Sequence, residues 1–327
     1  MHYRESTNLK LDEFSLIEKY FKSKTISRKD VLLGIGDDAA LLTIPQKQLL
    51  VSSIDTLIEN VHFLASTKAF DVGYKSLAAN LSDLAAMGAN PAWFLLALTL
   101  PTINTAWLDE FTQGLFECAT QFNLQLVGGD LTRGPLSITI QINGFVPEKK
   151  ALCRSGAKAG DKIYVSGTLG DAGLGLKIAK NNDQNFFEHS EKLFLLDKLN
   201  KPIPKIQLGI LLRELASSAI DISDGLAADL DHILKSSDVG ACINAEKIPL
   251  SSALKKLSQA EALQFAMTAG DDYELCFTIP SEKEEEFIAY IKKHAVNCTC
   301  IGVIEKTLGL RTIGFSGQLD QLGFQHF

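Results

Sequence analysis

Nine aspartates of this chain lie in six short strings that also contain glycine, serine or asparagine. Carboxylates beside such small residues are hard oxygen ligands, and the backbone there can approach a cation or a phosphate closely. The pattern therefore indicates a site for cations and phosphate groups. The six strings are Gly34–Asp38, Ser53–Asp55, Asn80–Asp83, Gly128–Asp130, Asp221–Gly225 and Gly270–Asp272.

The charges around these strings favour several divalent cations. Two like charges 4 Å apart cost roughly 4 kcal/mol at an effective dielectric constant of 20, so a pocket lined by aspartates repels phosphate. Only Arg133 and Arg154 add fixed positive charge close to the strings. Several Mg²⁺ ions, which bind through carboxylates and substrate phosphates, would screen both a triphosphate donor and an anionic acceptor during phosphoryl transfer.

The third string lies on a predicted helix over residues 71–88. Ser76, Asn80 and Asp83 form a polar line at helical spacing beside an apolar line. Taken alone, this line is typical of a solvated stripe next to a core face. The five other strings favour the alternative, in which Asp83 faces a polar site.

The fifth string joins a predicted strand to a predicted helix over residues 226–235. Ser223 or Asp224 can serve as the N-cap of that helix without any further function. A helix N-terminus also binds anions, and Asp221 can hold a metal ion that bridges to such an anion. The companion strings favour this second interpretation over capping alone.

Two strings place carboxylates where an apolar strand is predicted to give way to a glycine turn. These are Gly34–Asp38 and Gly128–Asp130, and a single string of this kind is typical of an ordinary turn. The glycine-rich segment 165–173 lacks the spacing of a dinucleotide fingerprint, and the chain has neither a P-loop nor the protein-kinase motif set. A nucleotide would therefore bind through another fold.

Composition argues against nucleic acid and membranes as partners. The formal net charge is −7, the nine motif aspartates alone exceed it, and there is no basic stripe and no long apolar helix. The polar N-terminal segment lacks the apolar run of a signal peptide, which predicts a cytoplasmic chain. The six cysteines are then expected to be reduced and passive.

The order of predicted elements indicates an α/β fold of the α+β type in two domains. Strands and helices alternate in each half of the 327 residues, and the length favours two cores. A polar, basic stretch near residues 147–160 marks the connection. We therefore predict an N-terminal domain over residues 1–148 and a C-terminal α/β domain over residues 149–327.

The strings together resemble those of the thiamine-monophosphate kinase family, within the superfamily of aminoimidazole ribonucleotide synthetase and selenophosphate synthetase. The resemblance extends over nearly the whole chain. Its further segments are Glu13–Ile17, Thr132–Pro135, Ser155–Ala157, Ala219–Gly225 and Asp272–Phe277.

The resemblance implies ATP-dependent phosphorylation of thiamine monophosphate to thiamine diphosphate, the last step in forming that cofactor, by direct transfer without a covalent nucleophile. It implies a two-domain synthetase-like fold whose N-terminal domain, residues 1–148, binds ATP and metal and mediates dimerisation. The N-terminal sheets of the implied homodimer join into a barrel-like interface. By position, it assigns Asp38, Ser53, Ile54, Asp55, Asp83, Asp130, Asp221 and Asp224 to several Mg²⁺ ions, and Gly129, Asp130, Arg154 and Ser223 to ATP.

The resemblance assigns His62, Asp271 and Phe324 to the thiamine phosphate ligand. Asp271 stands where the family has a glutamate that is one methylene longer. Ile54 stands where the family has threonine, so a metal contact there would use the backbone carbonyl. On the sequence alone, a packed or surface histidine is the favoured interpretation of His62. Phe324 is equally consistent with a C-terminal packing residue.

Two other functions stay open at this point. A sister synthetase would use ATP to activate another small substrate, although the cysteine that selenophosphate synthetases need near the N-terminus is missing, because the first cysteine is Cys118. A non-catalytic module would bind Mg²⁺ or nucleotide without turnover.

Overall fold

The computed structural model describes residues 12–181, 186–315, 317 and 323. Within them the first half forms an open four-stranded sheet in the order β3-β6-β4-β5, in which only β4 and β5 run parallel. β1 and β2 form a separate antiparallel pair. The strands are β1 (Val31–Leu33), β2 (Leu41–Leu42), β3 (Gln48–Ile58), β4 (Asn90–Leu100), β5 (Gln125–Arg133) and β6 (Ser137–Pro147).

Two long helices cover the inner face of this sheet. They are α2 (Ala69–Ala86) and α3 (Thr105–Gln121), and the short α1 (Glu13–Ile17) continues into a π-helical turn over Glu18–Lys22. The predicted helix over residues 71–88 is confirmed, with both its start and its end two residues earlier. Gly88 follows its C-terminus with φ of +65°, the left-handed conformation that glycine adopts most readily.

The second half forms a six-stranded sheet in the order β12-β9-β11-β7-β10-β8, antiparallel except for the pair β12 and β9. Its strands are β7 (Lys162–Ser166), β8 (Ser218–Ile222), β9 (Gly240–Asn244), β10 (Glu274–Ile279), β11 (Cys298–Glu305) and β12 (Gly309–Ile313). Its helices are α4 (Asp171–Asn181), α5 (His189–Asn200), α6 (Ile206–Leu212), α7 (Leu226–Ser237), α8 (Gln259–Thr268) and α9 (Glu284–His294).

Helix α2 is buried on nearly every side. It packs against α3 and the N-terminal sheet, and on its other side against α6, β8 and β10 of the second half. Ser76 and Asn80 of the polar line are 1% and 0% exposed, so the interpretation of this line as a solvated stripe is wrong. The largest hydrophobic core likewise contains residues of both halves. The boundary after residue 148 stays a prediction.

Glycines allow this close packing of α2. A Cβ atom at Gly73 of α2 would lie 2.0 Å from the carbonyl oxygen of Phe111, and one at Gly114 of α3 would lie 1.9 Å from that of Phe70. A Cβ at Gly209 of α6 would lie 2.0 Å from the carbonyl oxygen of Ala85. Helices that approach this closely exclude any side chain at the contact.

Several sequence expectations need correction. Gly128–Asp130 lies inside β5 and not at a turn, because the strand continues to Arg133 past an irregularity in its pairing with β4. β9, α8 and β12 were not predicted. The four-stranded sheet of one chain is open, so any barrel-like closure would need a second copy. No helix in the described part of the chain is long and apolar enough to cross a membrane.

We predict that Gly114→Ala destabilises the fold by roughly 2–3 kcal/mol, because the added methyl group forces α3 away from α2. Urea unfolding of both proteins measures this difference. Gly34→Ala is the matched control, since the nearest atom to its new Cβ is the side-chain nitrogen of Gln125 at 3.5 Å. Equal unfolding midpoints for Gly114→Ala and the unmodified chain would contradict the close helix contact.

Candidate functional site

Four aspartates from different elements meet between the two halves. Asp55 comes from β3, Asp83 from α2, Asp221 from the end of β8, and Asp224 from the turn that follows it. The Ser53 hydroxyl donates a hydrogen bond of 2.5 Å to Asp83 Oδ2. Ser53 and Asp55 face inward because alternate residues of a strand point to the same side. We call these five residues the inner carboxylate group.

Burial and mutual repulsion disfavour ionisation of this group. Burial, and then the charge of Asp83, raise the pKa of Asp55 to about 7. Burial raises the pKa of Asp83, although hydrogen bonds from Ser53 and Asp55 oppose this. Burial and the neighbouring charge of Asp83 raise the pKa of Asp221 well above its usual value. Asp55 and Asp83 therefore share a proton near neutral pH in the metal-free chain.

The donor set of the inner carboxylate group fits a hard divalent cation. Its atoms are carboxylate and hydroxyl oxygens. The positive charge of the exposed Arg154 opposes the rise in the pKa of Asp83. Within residues 12–181 and 186–315, no three His, Cys, Asp or Glu side chains are already arranged to hold a metal ion.

The turn before α7 differs from the sequence interpretation. Gly225, with φ of +123°, is the N-cap residue of this helix, and not Ser223 or Asp224. Asp229 Oδ2 accepts hydrogen bonds of 3.0–3.1 Å from the N–H groups of Ser223, Asp224 and Gly225. These amides are therefore already paired with a carboxylate, and a phosphate at this turn would have to be bound by side chains or replace Asp229.

Other predicted site residues lie on the opposite face of the N-terminal sheet. Across the sheet Asp55 pairs with Ile140, Ile140 with Leu96, and Leu96 with Gly129, so these positions share the inner face. The side chain of Asp130, one residue after Gly129, therefore points to the outer face. Asp38, Ile54, Gly129 and Asp130 line a cavity of about 960 Å³ there. Within one chain the sheet separates them from the inner carboxylate group. Their assignments to metal and ATP stay predictions.

Lys75 contacts both of the predicted substrate residues His62 and Asp271. Lys75 Nζ is 3.0 Å from Asp271 Oδ2 and donates to the His62 carbonyl oxygen at 3.4 Å. The Tyr273 hydroxyl donates to Asp271 Oδ1 at 3.2 Å. The imidazole Nδ1 of His62 accepts from the Ile58 amide at 3.0 Å, so this histidine has a fixed orientation. Phe324 lies outside the described residues.

Asp272 has a structural role that the sequence did not indicate. Its buried carboxylate accepts hydrogen bonds from the amides of Gly170 at 2.6 Å and Ala172 at 3.3 Å, at the start of α4. A carboxylate is favoured at a helix N-terminus. The segment 165–173 is thus a capped turn, which agrees with its interpretation as structural.

Cysteine chemistry has no support at this site. All six cysteines are free thiols. Burial raises the pKa of Cys298 to about 12 and also raises that of Cys276, so neither forms a thiolate near neutral pH.

Comparison with known proteins identifies the family. Residues 36–146 match the family described as AIR synthase related protein, N-terminal domain, and residues 158–313 match AIR synthase related protein, C-terminal domain. The thiamine-monophosphate kinase of Escherichia coli (strain K12) is 50% identical over 319 residues, which cover 96% of this chain and 98% of that protein. The chain belongs to the thiamine-monophosphate kinase family. The thiamine-monophosphate kinase of Bacillus subtilis (strain 168) is 34% identical, over 97% of this chain and 100% of that protein.

Solved structures of thiamine-monophosphate kinases have the same fold. The enzyme of Stenotrophomonas maltophilia K279a superposes with a TM-score of 0.86 at 43% identity, over 93% of this chain and 98% of that one. AaThiL complexed with AMPPCP and TMP superposes with a TM-score of 0.77 at 31% identity, over 100% and 99%. The fold predicted from the sequence, α/β of the α+β type in two domains, is confirmed.

Three residues near the site were missed by the sequence interpretation. Asp229 stands in the first turn of α7, where a carboxylate is typical of interaction with the preceding amides, and this signal could have found it. Lys75 is the single basic residue of α2, which is a weaker signal of a buried charge. Tyr273 had no signal, because its contact with Asp271 depends on the loop conformation.

We predict that Asp55→Asn stabilises the metal-free protein at pH 8 by on the order of 2 kcal/mol. The pKa of Asp55 is about 7 in the folded chain, against 3.8 in the unfolded chain. Ionisation of this carboxyl therefore does not lower the free energy of unfolding at pH below 3.8, and lowers it increasingly as the pH rises towards 7. Urea unfolding in EDTA should therefore show a smaller difference at pH 5.

Added Mg²⁺ should reverse this order, because it stabilises the unmodified chain and not the variant. The control is Asp238→Asn at the exposed end of α7, where φ of +53° suits asparagine as well as aspartate. Equal effects of Mg²⁺ on Asp55→Asn and on the unmodified chain would contradict the role of Asp55.

Proposed function

We propose that the chain transfers the γ-phosphoryl group of ATP directly to thiamine monophosphate and forms thiamine diphosphate. The observation that carries this proposal is the end-to-end match to thiamine-monophosphate kinases, 50% identical in one case over 96% of the chain. A structural neighbour with 31% identity is a complex with an ATP analogue and TMP. The inner carboxylate group supplies oxygen ligands for the divalent cations that assist such a transfer.

The acceptor in this reaction is itself a phosphate, which decides what the protein must supply. A phosphate monoester has a second pKa near 6, so its oxygen is already deprotonated at neutral pH and needs no general base. Catalysis then depends on positioning and on charge. Neither a nucleophilic side chain nor a thiolate is required, in agreement with the raised pKa of Cys298.

Ser53, Asp55, Asp83, Asp221 and Asp224 are proposed to hold Mg²⁺ on the inner face. Bound Mg²⁺ would offset the charge of these carboxylates and of the two phosphate-bearing substrates. Arg154, which lies close enough to lower the pKa of Asp83, is proposed to contact ATP phosphates beside this group. Ser223 is proposed to contact ATP through its side chain, since its amide pairs with Asp229.

The remaining residues extend the proposed site in two directions. His62 and Asp271, which Lys75 connects, are proposed to bind the thiamine part of the acceptor. Asp38, Ile54, Gly129 and Asp130 on the outer face are proposed to bind metal and ATP where a second chain adjoins. Phe324 stays a proposed substrate contact from the sequence.

One assay tests the proposed function. Purified protein is incubated with ATP, Mg²⁺ and thiamine monophosphate, and thiamine diphosphate is quantified by chromatography. We expect stoichiometric formation of thiamine diphosphate and ADP. ATP consumption with another acceptor but not with thiamine monophosphate would favour a sister synthetase, and binding without turnover would favour a regulatory module.

Asp221→Asn is the variant that links this assay to the inner carboxylate group. Loss of one carboxylate ligand should lower kcat by about 100-fold or more, in the range of removing one group that stabilises transition-state charge. Circular dichroism should show an unchanged fold. Full activity of Asp221→Asn over a Mg²⁺ titration would contradict the proposed ligand role.

A homodimer is proposed through the outer face of the N-terminal sheet. This face exposes Leu50, Ile54, Ile58 and Leu95, which are 45%, 62%, 40% and 38% exposed. Large apolar side chains grouped on one sheet face are typical of a covered surface. A second copy packed there would close the open sheet and adjoin the proposed outer-face residues. The cytoplasmic location stays a prediction.

Leu95→Glu should convert the proposed dimer into a monomer, because it places a charge at the centre of an apolar contact. Size-exclusion chromatography with light scattering measures the mass. Leu193→Glu on α5, which is 50% exposed and lies in the other half, is the control and should leave the mass unchanged. A monomeric unmodified chain would contradict the dimer.

A further inference from the structure

Lys75 is a buried cation next to the proposed substrate residues. The residue is 2% exposed, and its ammonium group contacts Asp271 and the His62 carbonyl oxygen. An ammonium group buried without a partner would cost several kcal/mol, so the contact with Asp271 is a fixed part of this interior. Lys75 therefore connects α2 and the His62 loop with the loop that carries Asp271.

Both oxygens of the Asp271 carboxylate have a donor. Lys75 contacts Oδ2, and the Tyr273 hydroxyl donates to Oδ1 at 3.2 Å. Burial, and then the charge of Asp271, raise the pKa of Tyr273 well above its usual value, so its phenol stays protonated and remains a donor. The carboxylate is thus held in one orientation from two sides.

The loop that carries Asp271 is held in a costly backbone conformation. Asp271 and Tyr273 have φ of +69° and +48°, in the left-handed region that non-glycine residues seldom adopt. Their amides donate to the carbonyl oxygens of Ser223 and Ile222, both at 2.8 Å. A Cβ at Gly270 would lie 2.4 Å from the Ser223 carbonyl oxygen, so this approach requires glycine. The loop is therefore attached to the turn that carries Asp221 and Asp224.

The exposure of the two side chains separates their roles. The Asp271 side chain keeps 29% of its surface exposed, whereas that of Lys75 keeps 3%. Asp271 can therefore touch a ligand, and Lys75 can act only through Asp271 and the His62 loop. The side chain of Asp271 is one methylene shorter than that of glutamate, and its carboxylate is held by Lys75 and Tyr273.

We propose that Lys75 is a positioning residue for the acceptor substrate, which holds the Asp271 carboxylate and the His62 loop in the arrangement that binds thiamine monophosphate. The inference rests on the proposed function. The acceptor carries a permanently cationic thiazolium ring and an amino group on its pyrimidine ring, and both are complementary to a carboxylate. Loss of the ammonium group releases that carboxylate and weakens binding of the acceptor more than binding of ATP.

Steady-state kinetics of four variants test this role. Lys75→Met should raise the KM for thiamine monophosphate by about tenfold and change the KM for ATP by less than about threefold, because the lost contact serves one substrate. Lys75→Arg keeps the charge and should recover part of the loss. Asp271→Asn should resemble Lys75→Met, and the double variant should be no worse than the more damaged single one, since the two residues act as a unit.

Lys205→Met is the matched control. It breaks another ion pair to a buried carboxylate, in which Lys205 Nζ lies 3.0 Å from Glu274 Oε1 at the edge of a separate cavity of about 570 Å³. This variant should lose thermal stability without any change in the KM for thiamine monophosphate. If Lys205→Met is less stable and keeps its KM, a rise in the KM of Lys75→Met for thiamine monophosphate cannot be attributed to lower stability alone.

Tyr273→Phe removes only the second donor to Asp271 and tests the same arrangement if Lys75→Met does not fold. It should raise the KM for thiamine monophosphate by about threefold. An unchanged KM in folded Lys75→Met, or in Tyr273→Phe if that is the variant measured, overturns the inference, as does an equal rise for both substrates. If the unmodified chain forms no thiamine diphosphate, the proposed function fails; if it does and the variants match it, only the role of Lys75 fails.

Discussion

The burial of helix α2 in the cores of both halves is the constraint on which the site depends. Its contacts with α3 and α6 are so close that only glycine fits at Gly73, Gly114 and Gly209. Arg213 of the second half donates to the Gly88 carbonyl oxygen just beyond the helix. Because α2 cannot move relative to either sheet without breaking these contacts, its polar side chains have fixed positions between the two halves.

Four aspartates of the six strings are stabilised in three different ways. Asp272, like Asp229, accepts hydrogen bonds from backbone amides at a helix start and is complete within the fold. Asp271 is held by a buried ammonium and a phenol. Asp55 and Asp83 have mainly each other and a serine, so their charge is the part that a cation would satisfy.

Hydrophobic periodicity is a local signal and predicted most helices and strands of both halves. The family resemblance assigned Asp55, Asp83, Asp221 and Asp224 to cations, and the structure brings these four side chains together. The sequence did not allow the separation of Asp130 from this group to be predicted, since that depends on the register of three strand pairs. The role of Asp229 required the turn geometry, and the contact of Lys75 with Asp271 joins residues 196 positions apart in the chain. Short strands such as β9 were missed because they lack a periodic pattern of sufficient length.

The hydrogen-bonded pair of Asp55 and Asp83 makes cation binding an exchange reaction. Because the pKa of Asp55 is about 7 and that of Asp83 is also raised, this pair is partly protonated in the metal-free chain at neutral pH. A divalent ion that uses both carboxylates must release that proton to the buffer, so its apparent affinity falls as the solution becomes more acidic than pH 7. The heat of binding then includes the ionisation heat of the buffer that takes up this proton.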